Sequence, residues 1–287
     1  MHDSNWPRLA IDIGGTFTDT VLVDANGRIA ATTKTPTTLE NPTLGALAGA
    51  EIVLAAAGIE WAHVSGFIHG TTLATNALIE RRGAVVATVT TEGFRDILEI
   101  AYERRYSQYD INLVKPDLIV PRARAFTIGG RMNAAGAALD PLDESAIPGL
   151  IDEIRASGAD AVAVCLLHAY ANPSHELRLR DVLSAALPDL VISLSHEVSP
   201  EAREFDRLST TIANAYIQPQ MARYLADFQA RFATSGLTCP ILMMTAGGGM
   251  TTVETAARLP IRLVESGPAG GAILAARLAA ETGDRMY

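Results

Sequence analysis

Apolar residues recur at every second position near the start of the chain, where Leu9, Ile11 and Ile13 fall on one side of an extended segment and Asp12 on the other. This two-residue period predicts a strand with one buried face and leaves Asp12 available for chemistry. Residues 8–13 and 18–23 therefore predict two strands joined through Gly14 and Gly15. A third, "RIAATTKT", follows Asn26-Gly27, a pair that favours a tight hairpin. The period then lengthens. "TLGALAGAEIVLAAA" at 43–57 predicts a helix closed by Gly58 as its C-cap. Short segments alternate after it: "GFIHG" as strand, "TTLATNALIERR" as helix, "AVVATVT" as strand and "GFRDILEIA" as helix. Strands alternating with helices imply a mainly parallel sheet and an α/β fold.

From Arg104 to Pro141 the pattern weakens into a long excursion with Pro116 and Pro121, and excursions of this length are often functional or partner-binding. Regularity returns at 143–198: "DESAIPGLIDEIRAS" helical, "DAVAVCLL" a buried strand, "PSHELRLRDVLSAAL" helical with proline in its first turn, and "LVISLSH" a strand. A second region opens with a helical pattern interrupted by Pro219 and passes through the strand "CPILMMT" into "AGGGM". The expected division is 1–198 and 199–287.

Composition narrows the function classes. The 287 residues are 48% hydrophobic and 19% charged, with a net charge of −9, enough to bury a core in two domains. Basic residues are scattered, which argues against nucleic acid or an anionic membrane as partner. The two cysteines, Cys165 and Cys239, are far apart and are expected as buried thiols in a reducing cytoplasm. No apolar run approaches the ~20 residues that span a bilayer.

Three glycine-centred clusters carry the candidate chemistry: "IDIGGTFTDT" at 11–20, "TAGGGMTT" at 245–252 and "VESGPAGG" at 264–271. A hairpin explains the first pair of glycines but not the threonines and carboxylates around it. A phosphate site needs backbone N–H groups that can approach oxygens, hydroxyl donors and a carboxylate for Mg²⁺. The alternatives are a flexible strand-to-helix connection at "AGGGM" and close helix packing at Gly270-Gly271. "HGTTLATNALIERRGA" places His69, Thr71, Thr72 and Asn76 where a strand gives way to a helix, a usual ligand position in open α/β sheets. There the alternative is a helix cap from Thr71 or Thr72 and a backbone hydrogen bond from His69. His168 reads as a strand-end histidine, and "HEVSPEAREFDR" at 196–207 as a solvated, ion-paired helix face. HExxH, Cys-x-x-Cys and a Gly-Lys-Ser/Thr ending are all absent, and "DIGGTFTD" differs from GxGxxG.

In order along the chain, "LAIDIGGTFTDTVLVD", "HGTTLATNALIERRGA", "TTEGFRDILEIA", "HEVSPEAREFDRLSTTIANAYIQPQM" and "RLVESGPAGGA" resemble the hydantoinase A / 5-oxoprolinase family from about residue 8 to the last. The resemblance implies a ribonuclease H-like domain of the actin-like ATPase superfamily over 1–198 and the beginning of a hydantoinase A domain over 199–287. It implies ATP and Mg²⁺ as cofactors. Asp12 would orient the metal, and Gly14, Gly15, Thr16 and Thr18 would form the first phosphate loop, with Asp19 ordering it. His69 and Asn76 would line an acceptor pocket, and Gly247, Gly248, Gly249 and Gly267 would serve a second stretch of the nucleotide site. Thr245-Ala246 stands where the family often has a polar residue before Gly-Gly. Family members run to more than twice this length, and soon after "ESGPAGGA" they carry a second motif of the form Asp-x-Gly-Gly-Thr. The chain therefore resembles an N-terminal portion.

The implied activity is ATP-dependent hydrolysis of a cyclic amide or imide, hydantoin or oxoproline, through phosphorylation of its carbonyl oxygen, with a B-type partner subunit and a homo-oligomer compatible with it. The alternatives are a subunit of an ATP-dependent ketone carboxylase, an actin-like sugar or acid kinase, and a folded but inactive fragment, and the isolated 287-residue chain is itself expected to be inactive whatever the parent protein does.

Overall fold

The computed structural model describes residues 7–38, 40–102, 107 and 109–282. The chain forms two compact units, one of residues 1–82 and 220–287 and the other of residues 83–219. Spatially it leaves the first unit once and returns to it, so the stretch 199–219 belongs with 83–198. The cuts fall at 82/83 and 219/220, whereas the sequence reading divides the chain at 198.

The first unit begins with β1 (Arg8–Ile13), β2 (Phe17–Val23) and β3 (Ile29–Pro36), consecutive antiparallel strands. α1 (Pro42–Ala57) follows, capped by the Asn41 side chain at its start and by Gly58, in the left-handed region at φ 66°, at its end. The pattern reading holds for each of these elements. Gly49 is required by packing, because a Cβ there would lie 2.7 Å from Thr20 Oγ1 on β2. β4 (Gly66–Thr71) then lies parallel to β1, and α2 (Leu73–Ile79) is shorter than the helical pattern suggested.

The second unit contains β5 (Val86–Thr91), α3 (Ile97–Ile100), β6 (Ala125–Ile128), β7 (Arg131–Met132), β8 (Ala138–Asp140), α4 (Ile147–Ala156), β9 (Ala161–Cys165), α5 (Ser174–Ala186), β10 (Val191–Leu194) and α6 (Ser195–Val198). Its sheet runs β10-β9-β5-β6, all parallel. β5 and β9 are buried at every residue, as strands covered on both faces are. Ile147, Leu150 and Ile154 of α4 and Leu179 and Leu183 of α5 join them in one core. The expected excursion thus contains a sheet strand, β6, and the small hairpin β7–β8, too short for periodicity to reveal. Of its residues, 103–106 and 108 lie outside those described.

α7 (Glu204–Thr234) runs uninterrupted through Pro219 and supplies its later turns, from Gln220, to the first unit. β11 (Ile241–Met244), β12 (Met250–Thr252), α8 (Val253–Arg258) and α9 (Ser266–Thr282) complete that unit. Its sheet order is β12-β11-β4-β1-β2-β3, with β11 parallel to β4. Phe228 and Phe232 of α7 pack on Phe67 of β4, with ring centroids 5.9 and 4.9 Å away.

The segment "HEVSPEAREFDR" is solvated only in part: residues 200–203 are exposed and Glu197 pairs with Arg180, but its last residue leaves the surface. Arg207 is fully buried and donates to Ser195 Oγ (3.1 Å), the Leu166 carbonyl (3.0 Å) and the Glu201 carbonyl (2.5 Å). Glu176, also buried, accepts from the Leu166 N–H (3.0 Å), Ser195 Oγ (2.6 Å) and His196, whose Nδ1 is 2.7 Å away. Mixed charges in sequence usually mean solvent, but here one guanidinium is buried and donates to the Leu166 carbonyl just past β9 and to the chain before α7.

Candidate functional site

In the first unit β1, β4 and β11 are parallel, so their C-terminal ends share one edge. The turn of residues 14–16 follows β1, Thr71-Thr72 and α2 follow β4, and residues 245–249 follow β11. β4 lies between the other two strands, so the glycine turns are separated by two strand spacings, about 10 Å.

The first turn is closed by Gly14 N–H donating to the Phe17 carbonyl at 3.0 Å. Thr37 clamps it from β3's end: its N–H donates to the Thr16 carbonyl at 2.9 Å and its hydroxyl to the Gly14 carbonyl at 2.9 Å. Thr18 is fully buried, 3.1 Å from the Thr37 hydroxyl. Since that hydroxyl gives its hydrogen to Gly14, Thr18 is the donor in the pair. Thr18 therefore supports the turn from the core side. Gly15 and Thr16 are exposed, and among the described residues their N–H groups have no acceptor. Beside the turn stands Asn76 on α2, whose amide nitrogen would lie 3.5 Å from a Cβ at Gly15 and which donates to Thr72 Oγ1 at 3.4 Å.

The second turn has the same build, a hairpin between β11 and β12 and not a strand-to-helix connection. Thr245 N–H donates to the Gly249 carbonyl (3.0 Å) and Gly248 N–H to the Thr245 carbonyl (2.9 Å), with Gly248 at φ +78°. Gly247 is exposed and its N–H has no acceptor among the described residues. α9 packs on this hairpin: a Cβ at Gly248 would lie 2.5 Å from Ile273 Cδ1, and one at Gly270 3.0 Å from Met244 Sδ. Close packing thus accounts for Gly270, whereas Cβ atoms at Gly267 and Gly271 would meet nothing within 4 Å. Gly267 is exposed in the first turn of α9. The helix start is tied to α2 through Glu265 N–H and Thr75 Oγ1 at 3.3 Å.

Asp12, Asp19 and Gly70 are register partners across β2, β1 and β4 and share the open face of the sheet. Loss of hydration, and then the Asp19 charge, raise the Asp12 pKa above the usual carboxylate value, with Lys34 pulling it back in part. Asp19 does not bond the turn as expected; both its oxygens accept from Lys34 Nζ at 2.8 Å.

His69 occupies the opposite, covered face. It is fully buried, stacked on Phe228 with centroids 4.3 Å apart, and its Nδ1 lies 3.2 Å from the Ile11 carbonyl and its Nε2 2.6 Å from the Tyr224 hydroxyl. Thr71 Oγ1 accepts from Leu73 N–H at 3.2 Å. The backbone bond from His69, given above as part of the alternative for this motif, is present, whereas Thr72, the N-cap of α2, makes no side-chain cap bond. Among the described residues no group of three or more His, Cys, Asp or Glu could hold a metal, and no helix is long and apolar enough to cross a membrane.

Residues 8–187 match the hydantoinase/oxoprolinase N-terminal region, and residues 207–287 match hydantoinase/oxoprolinase. The chain belongs to the hydantoinase/oxoprolinase family. It is 37% identical over 268 residues to the caprolactamase subunit alpha of Pseudomonas jessenii, covering 91% of this chain and 38% of that one. The crystal structure of the ATP-dependent caprolactamase from that organism superposes with a TM-score of 0.86 at 36% identity, over 97% of this chain and 41% of its own. Nucleotide-free acetone carboxylase, from a study of ATP-dependent acetone carboxylation, gives 0.87 at 26% identity with the same coverage. The 5-oxoprolinase of Saccharomyces cerevisiae is 28% identical over 93% of this chain and 23% of its own. The mixed α/β fold is that of the two solved structures. The chain spans about two fifths of the length of the caprolactamase and carboxylase relatives.

Proposed function

We propose that the protein to which this chain belongs is an ATP-dependent hydrolase of cyclic amides or imides. The observation that carries the reading is the pairing of two glycine hairpin turns, with exposed N–H groups at Gly15, Thr16 and Gly247 that have no acceptor among the described residues, at the edge where Asp12 presents an open carboxylate. These groups suit a magnesium nucleotide: the N–H groups face phosphate oxygens, and Asp12 holds the hydrated metal. Bound ATP supplies a phosphoryl group that converts an unreactive amide oxygen into a good leaving group, chemistry that depends on positioning and charge neutralisation. Gly14 and Thr18 shape the first turn, Asp19 and Lys34 balance the charge beside it, and Gly248 and Gly249 shape the second. Gly267 opens the helix that packs behind that turn. Asn76, half-buried beside Gly15, is the residue best placed to meet the acceptor, while His69 holds β1 against α7.

The strand order β3-β2-β1-β4-β11, with β2 reversed, supports a ribonuclease H-like, actin-like ATPase fold for the first unit. The division 1–198 and 199–287 stands as a proposal for the family's two sequence segments. The subunit name of the caprolactamase relative supports a partner subunit of B type, and dependence on ATP suits the cytoplasm.

Calorimetry of the full-length protein with ATP and Mg²⁺, beside Asp12→Ala, tests the nucleotide site. Binding by the wild type and its loss in the variant are expected; equal heats from both would sink the reading. Likeness to acetone carboxylase favours a second reading, ATP-dependent carboxylation of a ketone. ATP hydrolysis stimulated by ketone and bicarbonate, and not by lactam, hydantoin or 5-oxoproline, would select it.

A further inference from the structure

Across the open face of the first sheet, Gly70, Asp12, Asp19 and Lys34 form a single row, one residue on each of β4, β1, β2 and β3. A Cβ at Gly70 would stand 2.8 Å from Asp12 Oδ1 and 3.5 Å from its Cγ, well inside contact distance. Gly70 has no positive φ, so its backbone is one that any residue adopts, and the need for glycine comes from the carboxylate alone. On the other flank, Asp19 would compete with Asp12 for any cation, since like charges directly opposite in a sheet repel and both attract the same ion. Lys34 prevents that by engaging both Asp19 oxygens at 2.8 Å.

We infer that Gly70 and Lys34 are positioning residues for Asp12. Gly70 leaves the space in which the carboxylate lies, and Lys34 withdraws Asp19, so that one carboxylate faces the metal. The inference rests on the magnesium-nucleotide reading for its purpose but not for its geometry.

The clash at Gly70 falls on the far end of a movable side chain, so Gly70→Ala displaces the Asp12 carboxylate and leaves the sheet intact. Its nucleotide-free crystal structure is expected to show Asp12 in a new rotamer with the β1–β4 register unchanged. Calorimetry is expected to show at least tenfold weaker binding of ATP with Mg²⁺ and equal binding of ATP in EDTA. Lys34→Met is expected to strengthen binding of Mn²⁺ alone several-fold, read by water proton relaxation, and Lys34→Arg to restore the wild-type value. An unmoved Asp12 carboxylate in Gly70→Ala, or Mn²⁺ binding unchanged in Lys34→Met, overturns the inference. If wild type binds no nucleotide while the rotamer and the Mn²⁺ response change as expected, the functional reading fails and the positioning stands.

Discussion

Nε2 of His69 and the Tyr224 hydroxyl lie 2.6 Å apart, and the histidine's tautomer makes Tyr224 the donor. The Ile11 carbonyl, 3.2 Å from Nδ1, can only accept, so Nδ1 carries the hydrogen and Nε2 the lone pair. The ring is thus neutral, and burial pushes its pKa from 6.5 down to about 4. Below pH 6.5 the unfolded chain takes up a proton that the folded one refuses. Stability present above 6.5 is therefore lost as pH falls towards 4, by on the order of 3 kcal/mol. Urea melts from pH 8 to 4 should show this slope in the wild type and lose it in His69→Phe. Tyr224→Phe, which orphans Nε2, should cost about 1–3 kcal/mol.

Asp12→Asn should remove binding of magnesium nucleotide while slightly stabilising the fold. The Asp12 pKa is raised, so its ionised form at neutral pH costs stability, a cost that disappears as pH drops through the folded pKa and the carboxyl protonates. For an open carboxylate the gain is about 0.2–1 kcal/mol. Thermal melts of both proteins should differ at pH 7 and converge below the usual Asp value of about 3.9. A less stable Asp12→Asn at pH 7 would count against the repulsion from Asp19.

Arg207→Met should destabilise the second unit by about 3–5 kcal/mol, because it removes the buried guanidinium's bonds to the Leu166 and Glu201 carbonyls and to Ser195 Oγ. Chemical denaturation measures it. A loss below about 1 kcal/mol, the scale of a solvated ion pair, would count against a buried role for Arg207.

Thr20→Val should be neutral or stabilising by about 1 kcal/mol. Thr20 Oγ1 is buried and has no partner among the described residues, so the hydroxyl bears its desolvation cost without return. Gly49→Ala, aimed at the same atom, should cost more than the ordinary helix gain from alanine returns. Paired melting curves of the two variants give the comparison.

The sequence made the strands around Gly14 and Gly15, α1 with its Gly58 cap and the buried strand ending at Cys165 legible, because each rests on local period or turn chemistry. It also made Asp12's outward direction legible, since alternation settles which face a residue takes. Long-range pairing was hidden. Nothing local says that β11 joins β4, so the turn at 245–249 reads as a lone glycine cluster and not as the counterpart of the turn at 14–16. Gly70 and Thr37 were missed for the same reason. One matters by what it leaves empty beside another strand, the other by hydrogen bonds reaching back more than twenty positions. Arg207 was misread because composition cannot tell a charge in solvent from one placed among buried carbonyls.

The hairpin of β1 and β2 subjects the site to a parity rule. Each step along β1 changes the face, so deleting one residue between Arg8 and Ile13 would turn Asp12 towards α1 and His69 and expose the isoleucines. The carboxylate and the core are coupled in steps of two, and any change of length in this strand that preserves both must be even.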